Sequence, residues 1–115
     1  MIIDTNLLDE TSNRAKCNEH LRMNYNFHES WESKAQIMLN TLEPRTTIPI
    51  GRHMFTTETF VVLRGALKII FYDDDKNIIY EDILNPSAGK YGVFIPKGQW
   101  HKVKALVSNM LNFLK

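Results

Sequence analysis

From Thr46 to Val107 the chain is cut into short runs of branched and aromatic residues by turn-forming residues, and no stretch of that region carries a helical period. This punctuation limits the fold more than any other feature of the sequence. Thr46–Ile50, Thr59–Leu63, Ala66–Tyr72, Ile78–Leu84 and Tyr91–Ile95 read as strands, because β-branched and aromatic side chains fit a pleated, half-buried surface. The breaks between them, Arg64-Gly65, Asp73–Asn77, Asn85–Gly89 and Pro96-Lys97-Gly98, carry the residues that turns select. Val103, Ala105 and Val107 alternate with Lys102, Lys104 and Leu106, as in a strand with one buried face. Met110, Leu111, Phe113 and Leu114 supply material for one last strand. Such a series, with no helices between strands, predicts a mainly β barrel or sandwich.

The chain before Thr46 has a different texture. Leu7, Leu8, Thr11 and Ala15 recur at helical intervals over residues 5–20, with Asp4 or Thr5 able to cap the first turn. Ser30 is placed to cap a second helix, in which Trp31, Ala35, Met38, Leu39 and Leu42 share one face until Pro44 ends it. Between them, Arg22–His28 has no period and is rich in hydrogen-bonding side chains. The predicted organisation is an N-terminal helical segment, 1–43, packed on a β barrel, 44–115, as one structural domain.

A chain of 115 residues with 43% hydrophobic content forms one modest core, and a formal charge of +1 gives no electrostatic reason to expect nucleic acid or an acidic membrane. The start lacks a basic and then apolar leader, and no apolar run reaches membrane-spanning length, so the expectation is a soluble, cytoplasmic protein. The single cysteine, Cys17, excludes an internal disulfide and fits a reducing compartment. Asp73-Asp74-Asp75 lacks the spacing, glycine and terminal glutamate of a calcium loop and reads as a solvated hairpin tip.

Chemistry concentrates at His53, Glu58 and His101. Imidazoles and a carboxylate converging on one point suit zinc, iron, manganese or nickel. Residues 51 and 53 share a face if the segment is extended, and Glu58 opens the next strand. His101 comes from far along the chain, and only a rolled or closed sheet brings it close.

Pro49–Gly65 and Pro96–His101 together resemble the two metal-binding motifs of the cupin superfamily. His53, Glu58 and Gly65 fall on the first motif, and Pro96, Gly98 and His101 on the second. Gly51 stands where the pattern has its first histidine, and Ala105 where it has its terminal asparagine. A basic residue followed by Asn24-Tyr25-Asn26-Phe27-His28 further resembles the segment that precedes the barrel in WbuC-like cupins, and this likeness runs from about Leu8 to about Leu106. It implies a cupin-type double-stranded β-helix, or jelly-roll, barrel preceded by two short helices. It also implies a divalent ion (Zn, Fe, Ni or Mn) held by His53, Glu58 and His101, with Glu58 and His101 as catalytic groups. Its functional setting is bacterial surface-polysaccharide (O-antigen or capsule) biosynthesis.

Tyr25, Asn26, His28, Arg45 and Trp100 are candidates for a substrate pocket, Arg45 as an anchor for an anionic group, while Asn24, Tyr25, Asn26 and His28 read first as pinning the N-terminal segment to the barrel. Two functional classes stay open. One is a metal-dependent enzyme on a sugar or sugar nucleotide, an isomerase or epimerase, or an iron oxygenase with two histidines and one carboxylate. The other is a non-catalytic sugar-binding or partner module. Family members continue beyond the point where this sequence stops, so an uncovered sheet edge and hence a homodimer are expected, with a small sugar-like ligand as the other partner.

Overall fold

The computed structural model of the chain describes residues 2–17, 22–26, 38–46, 48–107 and 110–114. One α-helix is present among them, α1, Thr5–Cys17. Asp4 starts it: its Oδ1 accepts the Leu7 amide proton at 2.9 Å and its carbonyl accepts that of Leu8 at 3.1 Å. Thr11, Ser12 and Ala15 are buried on its inner face, where the helix lies against the strands Arg22–Asn26, Met38–Leu42 and Met110–Leu114. Small residues there let helix and sheet approach closely, and the Asp9 carboxylate reaches Arg64 at 2.8 Å.

The strands are β1 (Arg22–Asn26), β2 (Met38–Leu42), β3 (Glu58–Arg64), β4 (Leu67–Tyr72), β5 (Ile78–Leu84), β6 (Gly92–Ile95), β7 (Trp100–Ala105) and β8 (Met110–Leu114). They form two antiparallel sheets, a five-stranded one in the order β1-β2-β8-β3-β6 and a three-stranded one in the order β5-β4-β7. Neighbours in sequence are seldom neighbours in the larger sheet, as a jelly roll requires. The core lies between the sheets: Leu42, Phe60, Val62 and Ile95 from one, and Leu67, Ile69, Leu84, Val103 and Ala105 from the other. The period-two spacing of Phe60 and Val62, Leu67 and Ile69, and Val103 and Ala105 is the expected alternation. Full burial of a side chain such as Leu67 or Ile69 contributes about 1.5–3 kcal/mol.

The strands expected at 59–63, 66–72, 78–84 and 91–95 are present to within two residues, as is the last strand. Two expectations are corrected. Residues 38–42, assigned to the second helix, are strand β2, paired on both sides by β1 and β8; the rest of that helix, 30–37, lies outside the described residues. Thr46–Ile50 forms no strand over its described residues, because Pro49 brings no N–H to a ladder, and only Gly51 makes a bridge, to His101. The final strand is not at an edge. It lies inside the five-stranded sheet between β2 and β3.

Candidate metal centre

Glu58 opens β3 on the same face as Phe60 and Val62, two and four residues on, and both of those lie in the core. His101 shares the inner face of β7 with Val103 and Ala105. The segment carrying His53 is tied alongside the start of β7. Gly51 and His101 exchange backbone hydrogen bonds at 3.0 and 2.9 Å, and Gly98 donates its amide proton to the His53 carbonyl at 2.7 Å. Directly opposed residues of an antiparallel pair present their side chains to one face, so position 51 faces inward with His101. Arg52 is then turned outward.

The three side chains meet. His53 Nε2 lies 2.7 Å from Glu58 Oε2, His101 Nε2 lies 3.7 Å from Glu58 Oε1, and the ligand atoms all fall within 4.8 Å of one another. Exposure grades from mouth to interior: the His53 side chain is 55% exposed, Glu58 14% and His101 10%. His101 Nδ1 sits 2.9 Å from the Gln99 carbonyl oxygen, which can only accept, so Nδ1 carries the proton and Nε2 is directed at Glu58. Gln99 is itself fixed, its side-chain amide donating to the carbonyls of Tyr72 and Trp100, both at 2.9 Å. Burial lowers the His101 pKa, but the Glu58 hydrogen bond, the Gln99 carbonyl and the Glu58 charge outweigh it, holding the imidazolium above the ordinary value of 6.5.

Two imidazoles and one carboxylate, one imidazole oriented by a backbone carbonyl, form a donor set compatible with a divalent metal ion. His53, Glu58 and His101 are the residues that would hold it. Gln99, which orients His101, was not singled out in the sequence; its only signal is its place two residues before the histidine.

Of the proposed pocket residues, those described lie as follows. Trp100 follows the strand alternation onto the outer face of β7, where Arg52 and Lys76 flank its ring at 4.4 and 3.5 Å. Arg52 also lies 3.8 Å from Asp74, which joins the hairpin tip to this segment. Arg45 is exposed in the turn after β2. Tyr25 and Asn26 belong to β1, in register with Leu39 and Met38 of β2, and β2 and β8 stand between β1 and β3, a backbone separation of roughly 14 Å at three strand spacings. His28 lies outside the described residues.

No curated protein matches the chain significantly. Among solved structures it is similar to the capsular polysaccharide assembling protein CapF from Staphylococcus aureus, with 23% identity and a TM-score of 0.65 over 80% of this chain. It spans only 25% of that CapF chain. It is also similar to KdgF from Halomonas sp. (10% identity, TM-score 0.64, 84% of this chain and 81% of that one). The Schizosaccharomyces pombe Cnp3 cupin domain matches at 9% identity with a TM-score of 0.62, over 81% and 62% of the two chains. These likenesses show the fold, a cupin-type pair of antiparallel sheets. The family described as "Domain of unknown function (DUF6016)" matches residues 3–84, most of the chain. The chain therefore belongs to the DUF6016 family and carries it on a cupin fold.

Proposed function

We propose that this protein is a divalent-metal cupin acting on a sugar or sugar nucleotide in bacterial surface-polysaccharide biosynthesis. The observation that carries the reading is the convergence of His53, Glu58 and His101, with the His101 tautomer set by Gln99. The setting is supported by the sequence likeness to WbuC-like cupins and by the fold likeness to CapF, a capsular polysaccharide assembling protein. A bound divalent ion would act as a Lewis acid toward a carbonyl or hydroxyl oxygen of the sugar. His53 Nε2, His101 Nε2 and one oxygen of Glu58 would hold the ion, and the second Glu58 oxygen would orient the ligand and exchange a proton with it. His53 stands at the open side, where a ligand enters. Isomerisation or epimerisation beside a carbonyl is the reaction class this set serves best.

The second reading, a sugar-binding module without turnover, is favoured by one observation: residue 51 faces inward beside His101 and, as glycine, offers no donor. Glu58→Gln separates the two. Ligand-observed NMR with nucleoside-diphosphate sugars, run with zinc and with chelator, should show zinc-dependent binding that the variant loses. Sugar binding that persists equally in Glu58→Gln and in chelator would support the binding module and refute the metal-dependent enzyme.

A further inference from the structure

The inner face beside His101 has room that no described side chain takes. A Cβ built on Gly51 meets no atom within 4 Å. Gly51 does not have a positive φ, so its backbone would accept a larger residue without strain. Position 51 is nonetheless aimed at the cluster, because it exchanges two hydrogen bonds with His101 and thus shares its face. Arg52 next to it is turned away onto Trp100 and Asp74. First-row divalent ions take about four to six donors, and this cluster provides three. Among the described His, Cys, Asp and Glu side chains no fourth joins the three, which leaves positions for a ligand, and the open approach is past half-exposed His53 and over Gly51. Charge narrows the class further, since a divalent ion with the cluster's one carboxylate keeps a net positive charge that a monoanion balances.

Resting on the metal reading above, we propose that the space over Gly51 is a ligand slot that seats one arm of a monoanionic, vicinal-oxygen chelator. The class comprises α-hydroxy carboxylates, the acid end of a sugar acid among them. Gly51 is then a specificity-determining position: its lack of a side chain admits the arm, and any side chain there competes with it.

The test uses the full chain with cobalt(II) and glycolate as probes. Cobalt titration, followed by the metal's visible absorption, reports the donor set alone. Glycolate titration of the loaded protein, followed by the change in that absorption, reports the slot. Gly51→Leu should leave cobalt affinity within about threefold and weaken glycolate at least tenfold, roughly the effect of one lost close contact. Gly51→Ala, whose methyl meets no neighbour within 4 Å and so leaves the fold intact, should weaken glycolate less but measurably. Cobalt binding with no spectral response to glycolate, or a response that both variants leave unchanged, would overturn the slot while leaving the metal centre standing. Failure of the wild-type chain to bind cobalt would overturn both.

Discussion

Gln99 decides which nitrogen of His101 is available, and it does so through its backbone carbonyl. Its side chain acts one step further out, bridging the Tyr72 and Trp100 carbonyls and so holding the turn in place. Gln99→Ala should therefore weaken zinc binding about tenfold or more by calorimetry, as loss of a group that orients a metal ligand does, with the donor set itself unchanged. The raised pKa of His101 has a consequence for the metal-free protein. A histidine whose folded pKa lies above its unfolded one contributes stability that is fully present below the unfolded value and lost as pH rises through the folded value. Thermal melts in chelator should thus show this contribution near pH 5.5 and its decline as pH climbs above 6.5, and His101→Gln should remove that decline. A wild-type profile that matches the variant's would contradict the Glu58–His101 contact.

At the scale of elements, the turn Pro96-Lys97-Gly98 delivers His101, and Gly98 adopts a left-handed φ of 76° there. Gly98→Ala should cost about 1–2 kcal/mol in denaturant unfolding and weaken metal binding too, because the same turn anchors the His53 carbonyl. In β8, Asn112 is completely buried opposite core residue Val62, and among the described residues its side-chain oxygen and nitrogen have no hydrogen-bond partner. Leaving such an amide unpaired costs about 1–3 kcal/mol, so Asn112→Leu should raise the denaturation midpoint by a corresponding amount with an unchanged slope. The strands β3, β4 and β5 were legible because their branched runs end at unambiguous turns, such as Arg64-Gly65 and Asp73–Asn77. Met38–Leu42 was not legible. Five residues are too few to separate a helical from a strand period, and pairing with β8, seventy residues on, decides it.

For the whole molecule, the family match holds His53 and Glu58 but not His101. The DUF6016 match ends at Leu84, yet β6, β7 and β8 follow it, and β8 is the strand that joins β2 to β3. A fragment of residues 3–84 would leave β3 without either neighbour and β4 without β7, so it should give no cooperative unfolding transition by circular dichroism. The same topology made the cluster readable in outline. His53, Glu58 and His101 were recognisable as donors by type and interval, whereas the outward turn of Trp100 and the room at Gly51 depend on which face the Gly51–His101 bridge selects. No helix among the described residues is long and apolar enough to cross a membrane. The most direct measurement of the centre is an anomalous-scattering map of crystals soaked in zinc, paired with elemental analysis of the protein purified without chelator. One stoichiometric peak bonded to His53, Glu58 and His101 is the expected result. Full zinc occupancy elsewhere, or none at these three side chains, would contradict the metal centre.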